Sequence, residues 1–411
     1  LSTFRNAFND STITPLAARA SARLSRGAAC LILSAASLMV MPAFVSAQLQ
    51  TLPTEIVSSQ GGLSSEQKAQ IEKFVSDHVK ALSGEAKAMR EARVTLLSPL
   101  TSVQIGLPFR SEYSESLLKS LPEIARGGGP KGVNAILILG EVATTKSLDV
   151  IESLLDASEP AVRFASASAI NASFEQVRAK SPSLAAERVK SSLAKLAARL
   201  GAEQDALVFD SLVRASLAAG RINQSGYEQL RGIAADALSK ALAERLAAGT
   251  VGAKDAAMLQ ATLRAALAFR DELAIEERNR GVAGNAARLA AGVLKNVTSF
   301  AGEALALSAR MIKDAEINPA ADADDAARER ATKGRAVIGQ LAGTAQSMVY
   351  LAGPLMENGP LTPSNVNLGA VAREAKNESD ARFLTTVTEL VGPGGVLSKA
   401  PFSISRTFKL P

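Results

Sequence analysis

From Ser64 onward the chain sets its apolar residues at helical spacing. Ser64-Ser-Glu-Gln67 offers a serine cap with a glutamine three residues on, and Ile71, Phe74, Val75, Val79 and Leu82 follow at steps of three and four. The pattern predicts one helix opening at Ser64 with a single apolar stripe. Gly84, Pro99 and Pro108 then interrupt it. From about Ser111 the stripes shorten. Leu117, Leu118, Leu121 and Ile124 form one, closed by the glycines of RGGGPKG (126–132), and Val133, Ile136, Leu137 and Gly140 form the next. A two-threonine turn at Thr144 and Thr145 leads into Leu148, Ile151, Leu154 and Leu155. Pro160 then stands at a first helical position, with Val162, Ala165, Ala169 and Ala172 on the inward face.

Beyond residue 200 the periodic segments lengthen. Helices are expected over about 203–219, 225–247, 254–277, 286–313, 325–352 and 379–391, with Gly220, Gly249, Gly281 and Gly392 near their ends as stops. In the fourth, Leu289, Val293, Val297, Phe300, Ala304, Leu307 and Met311 hold one face, while Arg288, Lys295, Ser299, Glu303 and Arg310 lie off it. At 1.5 Å per residue this helix is expected to run ~40 Å. The tail PFSISRTFKLP alternates Phe402, Ile404, Phe408 and Leu410 with Ser403, Ser405, Thr407 and Lys409. That is a strand period, fitted either to a partner's sheet edge or to a groove of its own domain.

Residues 133–170, VNAILILGEVATTKSLDVIESLLDASEPAVRFASASAI, resemble HEAT-like helical repeats, in which helix pairs stack across a D-x-x-x-P-x-V-R type junction. Asp156, Pro160, Val162 and Arg163 match the junction, and aligning Val133 with Val162 gives a period of 29. This is shorter than the ~40–47 residues usual for such arrays and nearer the short bacterial variety. The earlier copy departs from the pattern, with Asn134 where Arg163 stands and glycines where Asp156 stands. The resemblance covers about residues 111–200. It implies an all-α fold: a short HEAT-like, armadillo-type α-solenoid followed by longer helices that either extend it or form a bundle. At the junction Asp156 is expected to accept backbone N–H bonds, Pro160 to begin a helix, and Arg163 to pair with an acid nearby or in the adjoining repeat.

The expected organisation is a signal peptide (1–47), a leader with a first helix (48–110), the repeat-like part (111–200), a long-helix region (201–360) and a final helix with an extended tail (361–411). In the first segment a basic stretch with Arg19, Arg23 and Arg26 precedes an uncharged run from Ala28 to Val45, then Val45-Ser46-Ala47 before Gln48. Small residues at 45 and 47 suit cleavage after Ala47, giving an exported, periplasmic or extracellular protein that meets the membrane only through this peptide. Cys30, the one cysteine, falls inside the removed segment. The formal charge of +6 includes four Arg and one Asp from the first 47 residues. The remaining charge near +3, with aromatics at 4 % and no Trp, excludes nucleic acid as a partner.

Candidate chemistry is sparse. His78 is the one histidine and lacks a second His or Cys to join it, so a partly covered surface position is expected. RGGGPKG and GPGGVLSK (392–399) do not match G-x-x-x-x-G-K-[ST] and are expected to shape turns. Asp314, Glu316, Asn318, Asp322 and Asp325 fall at positions 1, 3, 5, 9 and 12 of a loosely calcium-loop-like run. Pro319 stands where that loop needs glycine, and Asp322, Asp324 and Asp325 suit a cap and acidic first turn for the next helix. Residues 336–356 are uncharged and carry Gly339-x-x-x-Gly343, but their polar residues and Pro354 favour a buried helix packed through its glycines over a membrane span. The expected function is an exported scaffold that binds a protein of the envelope, with no cofactor and no catalysis of its own. Two alternatives stand beside it: an all-α hydrolase or lyase using carboxylates of the C-terminal half, and a membrane-attached accessory protein.

Overall fold

A computed structural model of the chain describes residues 51–102, 104–179, 183–252, 255–280, 289–314, 317–320, 323–356, 364–374 and 377–411. Among the described residues there are sixteen α-helices and no β-strand: α1 (Thr54–Val57), α2 (Ser65–Ala81), α3 (Ala86–Leu97), α4 (Leu107–Leu118), α5 (Leu121–Arg126), α6 (Gly129–Val142), α7 (Thr145–Ser153), α8 (Pro160–Ala179), α9 (Ala186–Ala202), α10 (Ala206–Gly220), α11 (Leu230–Ala247), α12 (Ala256–Arg278), α13 (Ala291–Ile312), α14 (Asp325–Met356), α15 (Leu368–Val371) and α16 (Asn377–Val391). The fold is all-α, as the periodicity predicts. The described residues lie in one unit, Leu49–Pro411, so the expected divisions at 110, 200 and 360 fall inside it. Residues 1–47, the expected signal peptide, lie outside the described residues.

Local chemistry accounts for the helix ends. Ser64 Oγ accepts from Gln67 N at 3.2 Å while Ser64 N donates to Gln67 Oε1 at 2.8 Å, closing the capping box that opens α2. Its stripe, Ile71, Phe74, Val75, Val79 and Leu82, is buried. Thr144 caps α7 in the same way with Ser147. Where one stripe was expected over 117–124 there are two helices. Pro122 lies in the first turn of α5, where its missing N–H costs nothing but would have broken a continuous helix, so Leu117 and Leu121 are buried from separate elements. Gly128 and Gly129 enter α6 at φ of 66° and 60°, as a turn-forming glycine cluster requires. Glu159 Oε2 accepts from Gly129 N at 3.1 Å, setting a carboxylate at the positive end of α6.

The helices pack in two rows. In the first, α6 lies against α8, α8 against α10, α10 against α12 and α12 against α14; in the second, α9 lies against α11, α11 against α13 and α13 against α16. The rows meet where α7, which touches α9 at the head of the second row, lies against α6 and α8, where α10 touches α9 and α11, and where α13 touches α14. Side-chain contacts fix the direction. Ser173 Oγ donates to Gly140 O and Gln176 to Glu141 between α6 and α8, and Ser168 Oγ lies 2.9 Å from Ser211 Oγ between α8 and α10. Tyr227 reaches Leu184 O and Arg245 reaches Gly201 O toward α9, while Asn296 meets Asp236 and Arg310 meets Leu246 O between α11 and α13. At α6–α8, α8–α10, α9–α11 and α11–α13 later residues meet later residues, so these neighbours run parallel. The separation in sequence grows from 33–35 positions at α6–α8 to 43 at α8–α10 and 54 at α10–α12, and reaches 60–64 at α11–α13. The long helices therefore continue the same rows with larger units.

Two close approaches depend on small residues. A Cβ on Gly140 would meet Ala169 Cα at 2.7 Å, and these two are 29 positions apart, the spacing of Val133 and Val162. A Cβ on Gly339 would meet Gly369 O at 2.8 Å, and Gly343 faces the same glycine. Residues 336–356 thus belong to α14 and are packed through their glycines, as expected. No helix among the described residues is long and apolar enough to cross a membrane.

Helix α13 differs from its expected one-faced pattern. Every residue from Phe300 to Ala309 is buried, including Glu303, which the stripe placed on a polar face. Helices α11, α14 and α16 contact it, and the tail closes the remaining side through Phe408 against Gly302 and Arg406 against Glu303. At 22 residues it spans about 33 Å, shorter than the expected ~40 Å.

Candidate functional site

The junction after α7 is the best-marked constellation in the chain. Pro160 is the first residue of α8, and Val162 is buried beneath it. Arg163 reaches forward to the end of the next helix. Its Nε donates to Glu203 Oε2 at 2.8 Å and its Nη2 to Glu203 Oε1 at 2.9 Å, while Nη1 donates to Ala157 O and Ser158 O, both at 2.9 Å. The planar fork of arginine matches a carboxylate and leaves one amino group for the carbonyls beyond α7. Glu203 is fully buried and also accepts from Gln204 N, Asp205 N and Arg199. Burial pushes its carboxyl up, but the bonds from Arg163, Asp205 N–H and Arg199 outweigh that and hold it at about 2. Asp156 takes a different part from the one expected. Its exposed carboxylate faces Arg199 at 3.5 Å, a long contact on the rim of the cluster.

A second buried carboxylate lies one helix pair away. Glu152 of α7 receives Arg188 Nη1 at 2.8 Å, Arg188 Nη2 at 2.9 Å, Lys195 Nζ at 2.7 Å and Ser192 Oγ at 2.5 Å, all from α9. Burial opposes its charge, yet these donors bring it below the ordinary glutamate value. Arg335 of α14 and Asp380 of α16 form a third forked pair at 2.9 Å on both arms, with Arg335 Nη1 also donating to Ala372 O at 3.1 Å. In all three the acid is held by the fork of an arginine. Such groups fix one helix against another.

Arginines also close helix ends along the rows. Arg110 donates to Val142 O at the end of α6 at 2.9 Å, Arg245 to Gly201 O in the last turn of α9 at 3.0 Å, and Arg310 to Leu246 O in the last turn of α11 at 3.2 Å. Carbonyls there have no partner within the helix and carry the negative end of its dipole, so a buried guanidinium satisfies both. Arg245 is 3 % exposed and lies over the Phe209 ring at 5.5 Å. Sequence reading found Arg163 but missed Arg245, Arg310, Arg335 and the acids Glu203 and Asp380. The available signal was arginine close to a helix end, which does not say which helix it closes.

The other expected positions are accounted for individually. His78 is half-buried, lies against the Phe74 ring at a tilt of 38° and donates from Nδ1 to Phe74 O at 2.7 Å within its own helix. Of the calcium-loop residues, Glu316 and Asp322 lie outside the described residues. Asn318 donates to Ile312 O and accepts from Arg335 Nη2, so a guanidinium occupies its side-chain oxygen. Asp314 lies just past the end of α13, and Asp325 begins α14 with its side chain fully exposed. Asp324 caps that helix, its Oδ1 accepting from Ala327 N at 2.6 Å. No group of three or more His, Cys, Asp or Glu side chains that could hold a metal ion occurs among the described residues.

On the open side of the first row, Phe164 is 43 % and Leu207 is 65 % exposed. Each stands one turn before a member of the Ser168–Ser211 contact, so the two side chains share one face of adjacent parallel helices. No protein-family model matches the chain, and no curated protein sequence matches it.

Proposed function

We propose that this chain is an exported helical-repeat scaffold of HEAT-like type that binds a protein of the cell envelope. The observation that carries the reading is the pair of helix rows, α6 to α14 and α9 to α16, joined by forked buried ion pairs. Stacked helix pairs bury a continuous core and at the same time extend a continuous outer ribbon, which is the property a binding scaffold uses. The buried acids are spent on holding helices together, and the open face of the first row carries Phe164 and Leu207 in water. Export rests on the basic, apolar and small-residue order of residues 1–47, with release after Ala47.

Affinity capture of the full chain from its native envelope tests this, wild type against Phe164→Asp/Leu207→Asp. The expected result is a reproducible protein partner with the wild type that is lost with the double variant, whose helical circular dichroism is unchanged. The same proteins recovered with both, or none with either, would contradict the proposal.

A further inference from the structure

The C-terminal tail lies on α13 in the manner of a bound peptide. Beyond the short 3₁₀ turn Val396–Ser398, Phe402, Ile404 and Phe408 are buried while Ser403, Ser405, Thr407 and Lys409 point outward. The alternation that reads as a strand in sequence is thus spent on the chain's own helices. The Phe408 ring fills a notch that only glycine permits: a Cβ on Gly302 would meet its Cε1 at 2.4 Å and its Cζ at 2.5 Å. Beside the notch, Arg406 Nε lies 2.9 Å from Glu303 Oε1. Glu303 is fully buried, and neither of its oxygens has an aligned hydrogen bond, so the pairing is one of charge. Arg310 donates to the tail's own Lys409 O at 2.6 Å, gripping the backbone whatever its sequence.

We infer that this groove is a peptide-binding site, occupied in cis by the tail, whose ligand in trans is an extended partner segment with an arginine two residues before an aromatic ring. Permanent packing would be served better by an aliphatic residue at 303, because a buried carboxylate is tolerated only while a cation covers it. An acid there selects what lies on top of it: a segment without the arginine leaves the charge sealed and unpaired. The glycine notch selects the ring, and Arg310 supplies the sequence-independent grip. The segment is joined through exposed Lys399 and Ala400 and lies outside every helix, so it is able to leave without unwinding one. This inference deepens the scaffold reading and rests on it for the setting in which a partner is met.

The test uses the full chain with a protease recognition sequence inserted between Lys399 and Ala400, cut after folding. Fluorescence anisotropy then follows a labelled Ala400–Pro411 peptide. Saturable binding to the cut chain is expected, with binding to the uncut chain weaker by at least about tenfold. Peptides carrying Arg406→Ala or Phe408→Ala should each bind the cut chain about tenfold or more weakly. A Glu303→Gln chain, cut likewise, should no longer distinguish the Arg406→Ala peptide from the unaltered one. Equal binding of a scrambled peptide, no exchange into a cut chain of unchanged helicity, or unfolding on cutting would each overturn the inference. Retention of the uncut chain on immobilised cut chain would assign the groove to a second copy and overturn the partner named here. The capture experiment above reads the Phe164–Leu207 face of the uncut chain, so either result is able to fail alone.

Discussion

Arg163 and Glu203 are 40 positions apart and meet fork to fork, at 2.8 and 2.9 Å, between the start of α8 and the end of α9. The same guanidinium holds the carbonyls of Ala157 and Ser158. Removing it takes the forked partner from a buried carboxylate, leaving it Arg199 and two backbone N–H groups, and frees two carbonyls at the same time. Arg163→Ala should therefore cost about 3–5 kcal/mol in urea unfolding. Arg163→Lys should recover little of that, because a lysine presents one point of charge in place of a fork. Full recovery by lysine would mean that charge alone is at work.

Glu203 also sets a pH dependence. Its carboxyl is held at about 2 in the folded chain against an ordinary 4.5, so the folded state favours the ionised form. The stabilisation is full above 4.5 and is lost as pH falls toward 2. Glu203→Gln should accordingly be less stable than wild type at pH 6, with the gap closing below pH 4. Urea midpoints of both proteins between pH 2 and 7 measure it, and a gap that stays constant would contradict the assignment.

Arg406 should show a pH profile of the opposite origin. Burial raises the Glu303 carboxyl, only partly countered by Arg406, Arg310 and Lys409. A carboxyl raised in the folded state contributes most below its unfolded value, and that contribution is lost as pH rises through its folded value. Arg406→Ala should thus cost about 1–3 kcal/mol at neutral pH and much less near pH 4, the range being reduced because Arg406 is 31 % exposed. Thermal unfolding at the two pH values is the check.

Gly140 tests the closeness of α6 and α8. With Ala169 Cα only 2.7 Å from where a Cβ would stand, Gly140→Leu must separate the helices. A loss of about 3 kcal/mol is expected, at the upper end for overpacking, because the obstacle is backbone. Gly201→Leu, where nothing lies within 4 Å, is the control and should change little.

Local signals in the sequence were strong. The Ser64 cap, the Thr144 turn and the ends of the helices between 203 and 391 are set by residues within a few positions of them, and periodicity locates them to within a few residues. The continuation of the rows past residue 200 was hidden for a physical reason. The spacing between matched positions widens from 29 at Gly140–Ala169 to 64 at Leu246–Arg310, and a repeat whose length changes has no fixed period to find. Arg163 announced its need for an acid, but Glu203 lies 40 positions on, at the end of the following helix, and nothing near it in sequence marks the pairing. Glu303 was misread because the stripe on α13 describes one helix, while its burial comes from a tail about a hundred residues later. The alternation in that tail was legible; what it covers is a tertiary fact.

Parallel, in-register rows are the claim on which the rest depends, and cross-linking tests them most directly. Cys30 is the one cysteine, so in a Cys30→Ser background the pair Ser168→Cys/Ser211→Cys probes the first row and Asp236→Cys/Asn296→Cys the second. The Ser168 and Ser211 Oγ atoms stand 2.9 Å apart at the positions the sulfurs take, so mild oxidation should close a disulfide there. The second pair, whose 2.6 Å contact is made one bond farther out, should be closed within the chain by a short thiol-specific cross-linker, both links being mapped by mass spectrometry of the non-reduced digest. Free thiols in both proteins, or disulfides that form only between two chains, would contradict the rows and the account built on them.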